Sequence, residues 1–188
     1  MARSLEERFS FVKNKTLRGN LDFALFYVVY LVTREDLEEN EDVENAIRKD
    51  IMMHTASIIE ACLHYTLETL IENKILNHND LFEKKWKQRE EKPIYNLGKE
   101  KRIRAIVEEK SEVKLTKKTQ FNDLTSAAKM AGVLSDSLYK KIEKIRIRRN
   151  RIHFASLDEV DNEYSKEEVN QLFNDTTAIL NRLESLLI

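Results

Sequence analysis

Residues 140–154 read KKIEKIRIRRNRIHF, and their spacing decides the fold. Leu138, Ile142, Ile145 and Ile152 recur at helical intervals and mark an inward face. A helix turns about 100° per residue, so residues four apart lie about 40° apart on its surface. On that wheel Arg149 falls in the middle of the isoleucine stripe, and His153 lies one turn further on. Arg146 and Asn150 flank them, while Arg148 and Arg151 point to solvent. A guanidinium and an imidazole on an apolar stripe are costly to bury without partners. The stripe therefore meets partners inside a bundle, or lines a cleft or subunit seam where a ligand supplies them. Most helical Arg side chains are solvated and most single His residues are structural, so it is the inward placement that singles these two out.

Upstream, residues 41–73 carry the longest helical pattern. Val43, Ile47, Ile51, His54, Ile58, Cys62 and Tyr65 form one stripe, widened by Ala46, Ile59, Leu63, Leu67 and Leu70. An apolar arc so broad belongs to the central helix of a bundle. Glu60 and His64 stand four apart on its flank, the spacing of a carboxylate–imidazole pair. Two groups are too few for a metal site, so no metal or other cofactor is expected. A buried carboxylate wants a cation, and across the bundle Arg149 is the candidate for Glu60. His54 reads as a core or interface residue.

Further upstream, Ser4 and Glu7 form a capping-box pattern before a short helix through Val12. Gly19 and Asn20 should loosen the chain. LDFALFYVVYLV at 21–32 is apolar nearly all round and reads as a core helix, with Phe23, Phe26, Tyr27 and Tyr30 inside. After the long helix, NHND at 77–80 is a turn with His78 exposed. Residues 81–91 read as a charged helix edged by Phe82 and Trp86 and stopped by Pro93. Ile103, Ala105 and Val107 alternate, as do Val113 and Leu115, with EEKS between them. That predicts a small hairpin near 102–116, with a helix as its rival.

A helix over 121–133 should turn Leu124, Ala127, Ala128 and Met130 inward, closing at Gly132 and Ser135. Ser135 or Asp136 caps the helix of the opening stretch. Residues 155–165 read as loop. Ser165 with Glu168 is a second capping box, and Val169, Leu172, Phe173, Thr176, Leu180, Leu183 and Leu187 give the last amphipathic helix.

Composition agrees with a mainly α protein. With 35% charged residues, 3 Gly and 1 Pro in 188 residues, strands and tight turns are poorly supplied. The expected fold is a single domain over 1–188, an antiparallel bundle of about five to seven helices. Net charge is −1, so the whole molecule is no electrostatic nucleic-acid binder. Locally it differs: from Lys140 to Arg151 there are seven basic residues and one acidic, Glu143. The lone Cys62 excludes an internal disulfide and a Cys-based metal site, and reads as a buried small hydrophobe. MARSLEERF has no signal-peptide core, and the apolar run at 23–32 is about half what a bilayer needs. A soluble, cytoplasmic protein without membrane contact is expected.

The helical context of RRNRIHF (148–154), with SIIEACLHYTLETL (57–70) as a second core helix carrying Glu60, resembles the HEPN family, the higher eukaryotes and prokaryotes nucleotide-binding domains. The resemblance spans most of the chain, from the long helix to the last. The family pattern is an Arg, four to six residues, then a His, often with Asn or Asp after the Arg. Here Arg148 and Arg146 have the spacing but no following Asn, whereas Arg149 is followed by Asn150 with three residues before His153.

The resemblance implies a metal-independent endoribonuclease of defence or toxin–antitoxin type, working on RNA as a homodimer with two motifs facing across a cleft. His153 would act as acid/base and Arg149 as phosphate clamp, and Asn150 would orient the His or donate to the phosphate. Lys144, Arg146, Arg148 and Arg151 would bind RNA phosphates, and Glu60 would support the site. His titrates in the range that proton transfer from a 2′-hydroxyl requires, and Arg offers a planar fork to a phosphorane. The alternative is a non-catalytic dimeric module that binds nucleotide, RNA or a partner such as an antitoxin or nucleotidyltransferase. Arg149 would then only neutralise Glu60. A third reading is RNA binding by Lys140, Lys141, Lys144, Arg148 and Arg151 alone, a patch without aromatics for base stacking.

Overall fold

The computed structural model describes residues 8–97, 99–151 and 163–188. Helix α1 (Lys15–Glu35) starts where the Asn14 side chain accepts the Leu17 amide at 3.0 Å. It returns through a short turn into α2 (Glu41–Glu72), capped by Asn40. A single turn, α3 (His78–Leu81), leads to strands β1 (Lys85–Asn96) and β2 (Arg102–Ser111). Helices α4 (Phe121–Met130), α5 (Asp136–Asn150) and α6 (Lys166–Ser185) complete the chain. The fold is a mainly α bundle with one small antiparallel hairpin.

Helix α2 is the axis of the bundle. It packs against α1, α4, α5 and α6, and Ile51, Ile59, Cys62, Leu63 and Leu67 are fully buried along it. Its buried positions span about half of its circumference, as a broad apolar arc requires. The arc runs out at its start, where Val43 and Ala46 are exposed. A polar brace holds that end. Arg48 donates to the buried Glu35 of α1 at 2.8 Å, to Glu44 at 2.7 Å and to the Tyr164 carbonyl at 3.3 Å. Between α5 and α6 the buried Asp175 accepts Lys141 at 2.7 Å and Gln171 at 2.8 Å. The caps fall where the sequence puts them, with Ser135 opening α5 and a Ser165–Glu168 capping box opening α6.

Several expectations are corrected. The expected helix before Val12 is not formed at residues 8–12, which are turn and coil with Phe9, Phe11 and Val12 buried, and its first part lies outside the described residues. Gly19 and Asn20 do not loosen the chain but lie within α1. A helical Gly costs about 1 kcal/mol against Ala, which the packing of Leu17 and Leu21 on either side outweighs. Three of the four aromatics of α1 are not core, with Phe23 74%, Phe26 68% and Tyr30 51% exposed, whereas Tyr27 is half-buried against the core. Met130 is exposed too, and the buried polar residue on α4 is Thr125.

The hairpin exists with different strands. The segment expected as a helix over 81–91 is mostly β1, and EEKS at 108–111 is strand, not turn. Lys85 pairs with Ser111 and Asn96 with Arg102, with register shifts after Gln88 and after Pro93. Cross-strand pairs such as Arg89–Glu109 at 2.7 Å override the helical propensity of Glu and Lys. Pro93 is tolerated because each strand of a two-stranded ribbon is an edge. The ribbon stands off the core, so Trp86 packs under Lys110 instead of on the bundle. Val113 and Leu115 leave the ribbon and pack on the core. Among the described residues no helix is long and apolar enough to cross a membrane.

Candidate functional site

Helix α5 buries Ile142 and Ile145 against the bundle, which turns the next positions of that face, Arg146 and Arg149, toward α2 and α4. Arg149 Nη2 donates to Glu60 Oε2 at 3.2 Å, the pairing expected across the bundle. It is a single bond, and the two side chains stay 31% and 25% exposed.

One turn back, Arg146 is held by both oxygens of Glu143, at 3.0 Å from Nε and 2.8 Å from Nη2. The Thr125 hydroxyl lies 2.8 Å from Glu143 Oε1 and 3.0 Å from the Asn122 carbonyl, two acceptors for one proton. The Arg146 hydrogen bonds, assisted by Thr125, hold the Glu143 carboxyl below its ordinary range against the opposing effect of burial. The same contact raises Arg146. Arg146 is thus committed to a carboxylate, and Arg149 is the more available fork.

Glu60, Arg146, Arg149 and Asn150 form one wall of an open cleft of about 630 Å³. The opposite wall is the segment 117–122 that leads into α4, with Lys117 and Lys118 in it. Gln120, the N-cap of α4, makes no side-chain capping bond, so the first amides of that helix lack a side-chain acceptor. Cations and a helix N-terminus at one cleft favour an anion. A second cavity of about 560 Å³, lined by Asn20, Ser57 and His64 among others, shares Glu60, Lys117 and Thr119 with the first. Glu60 therefore stands where the two hollows meet.

Of the other expected residues, Lys144, Arg148 and Arg151 do not line this cleft. Arg148 does not face open solvent: it pairs with Glu168 and lies 5.4 Å from the Tyr164 ring centre. Lys144 and Arg148 border a separate hollow of about 360 Å³ with Met52 and Leu172, on the α6 side. Arg151 is half-buried at the C-cap of α5. His153 lies outside the described residues.

The remaining histidines do not replace it. His64 does not pair with Glu60. Its Nε2 sits 3.0 Å from the Thr116 carbonyl and its Nδ1 4.0 Å from Glu68. His78 is half-buried, not exposed, and its Nδ1 accepts the Leu115 amide at 3.3 Å. His54 packs edge-on against Tyr27 with ring centres 4.8 Å apart. Among the described residues no group of three His, Cys, Asp or Glu side chains could hold a metal ion.

No known protein family, curated protein or solved structure matches this chain.

The sequence reading missed Lys117, Lys118 and the Thr125–Glu143–Arg146 network. A signal for each was present. TKKTQ immediately precedes a helix start, and Glu143 and Arg146 are three apart on one helix. Of the five basic residues on the outer face of α5, Lys141 pairs with Asp175 and Arg148 with Glu168, while Lys140 and Lys144 are exposed.

Proposed function

We propose that this chain is a metal-independent, HEPN-type endoribonuclease that acts on RNA as a dimer in the cytoplasm, in a defence or toxin–antitoxin setting. The observation that carries the reading is the open, cation-lined cleft in which Arg149 is tied by only one bond. A phosphodiester is the anion that suits it. Arg149 would exchange Glu60 for a non-bridging phosphate oxygen, and Lys117 and Lys118 would hold neighbouring phosphates.

The reaction the resemblance implies needs no redox partner. A base takes the 2′-hydroxyl proton and the 2′-oxygen attacks phosphorus. The bond to the 5′-oxygen breaks, and an acid returns a proton to that oxygen. The products are a 2′,3′-cyclic phosphate and a free 5′-hydroxyl. His153 of one copy and His153 of the other would be base and acid. Arg149 would stabilise the charge that builds on the phosphorane.

End-group analysis of a labelled dinucleotide tests this. The reading predicts a cyclic phosphate on the upstream nucleoside, and a 3′-hydroxyl with 5′-phosphate would contradict it. The alternative, a non-catalytic dimeric module binding nucleotide, RNA or a partner protein, is favoured by one observation: both cleft arginines already have carboxylate partners.

A further inference from the structure

Helix α1 carries an apolar seam that no described residue of the chain covers. Gly19, Phe23, Phe26, Tyr30 and Thr33 are exposed along it, and Leu37 continues it just past the last turn. The gaps between them are four, three, four, three and four residues, the 3.5-residue period of a helix-pairing stripe. The seam lies opposite the face that Leu21, Val28 and Leu31 bury. None of its six positions is charged. The Thr33 hydroxyl is satisfied within the helix, donating to the Val29 carbonyl at 3.1 Å, and so asks for no polar partner across the seam.

The positions are symmetric about Val28. Turning the helix end for end exchanges Gly19 with Leu37, Phe23 with Thr33, and Phe26 with Tyr30. Large then meets small at each outer level, and the two aromatics stack on each other at the centre. Gly19 has open space around it, so a neighbouring leucine can seat there. Such self-complementarity is what a two-fold interface requires.

We propose that α1 pairs antiparallel with α1 of a second copy of this chain about a two-fold axis near Val28. The area suffices. Aromatic side chains present about 150–250 Å² each, so the exposed parts of Phe23, Phe26 and Tyr30 supply roughly 400 Å² per copy. With Val29 and Leu37 the pair buries roughly 1,000 Å², the threshold for a specific interface. The seam is also pre-set. Tyr30 stacks on Tyr27 at 6.2 Å, and Tyr27 is braced edge-on by His54. Less side-chain freedom is lost when such a surface docks.

The pairing stands on α1 and not on RNA cleavage, so a dimer that cuts no RNA leaves it intact. The test is the solution mass of the full chain with two single-cysteine variants. Cys62 is fully buried, so an added surface thiol is the reactive one. Wild type should sediment as two chains and Phe26→Asp as one, with unchanged helical circular dichroism. A short bismaleimide should link Val29→Cys to itself, near the axis. It should not link Gly19→Cys, whose two copies lie roughly 27 Å apart along antiparallel helices. A wild type that sediments as one chain at all concentrations, or equal linking of both variants, would overturn the proposal.

Discussion

Arg149 on α5 reaches Glu60 on α2 through one 3.2 Å hydrogen bond, whereas Arg146, one turn earlier, is gripped by both oxygens of Glu143. The first contact can open to admit an anion at modest cost. The second fixes the cleft wall.

Glu60→Gln should therefore release Arg149. Part-exposed pairs contribute about 0–1 kcal/mol, so the unfolding midpoint should barely move. Affinity for a short RNA should rise a few-fold, and Arg149→Ala should lower it by roughly tenfold, the worth of a charged hydrogen bond. Binding titrations over a salt series decide the matter. If Glu60→Gln weakens binding as much as Arg149→Ala, the carboxylate positions the fork and does not compete for it.

Glu143 should give the protein an acid-sensitive contribution. Its carboxyl is depressed in the folded state, chiefly by the Arg146 hydrogen bonds. The resulting stability is fully present above the unfolded value of about 4.3. It is lost as pH falls through the lower folded value. Glu143→Gln should be less stable than wild type at pH 7, and the gap should narrow on acidification below pH 4. Urea midpoints at pH 7 and pH 3 provide the comparison. A gap that stays constant would mean that the group does not titrate on unfolding.

The core and the ribbon should separate cleanly in stability. Leu63→Ala opens a cavity beside fully buried neighbours and should cost about 2–5 kcal/mol. Replacing residues 85–111 with a short Gly/Ser linker removes no buried side chain of the bundle other than the half-buried Ala105 and Ser111 of the ribbon itself. Its loop-closure effect is on the order of 1 kcal/mol and favours folding, because the loop becomes shorter. Thermal unfolding of both variants checks the contrast. Loss of a cooperative transition in the linker variant would show that the ribbon belongs to the core.

Cys62 should be silent in the native state. Burial pushes its thiol up to about 12, against a weaker opposing effect of Arg8, and the side chain is fully enclosed. A disulfide reagent at pH 8 should react only at the rate of opening, and fast once urea unfolds the chain. Fast labelling of folded protein would place the thiol at the surface.

The parts of the fold legible in the sequence were those where one periodicity had one use. Helix α2 was readable as central because its apolar arc is wider than a surface helix needs, and the caps at Ser135 and Ser165 stood where the apolar runs begin. The Glu60–Arg149 contact was legible because Glu60 flanks one inward stripe, Arg149 stands in the middle of another, and each needs an opposite charge. Helix α1 was not, because a segment apolar all round does not say which face the bundle uses. Phe23 and Phe26 look like core until Leu21 and Val28 are seen to fill that role. The ribbon was misread because the Glu and Lys residues of 81–91 favour a helix locally, while their strand partners lie some twenty residues on. Lys117 and Lys118 gain meaning only when the loop before α4 folds over α5.

RNA cleavage in excess chelator, with wild type, Arg149→Ala and His153→Ala compared at matched folded concentrations, decides whether the cleft is catalytic. Wild type should cleave in the presence of chelator, His153→Ala should not, and Arg149→Ala should cleave at least tenfold more slowly. No cleavage of varied RNAs by wild type, or equal cleavage by all three proteins, would contradict this and leave the cleft as a binding site.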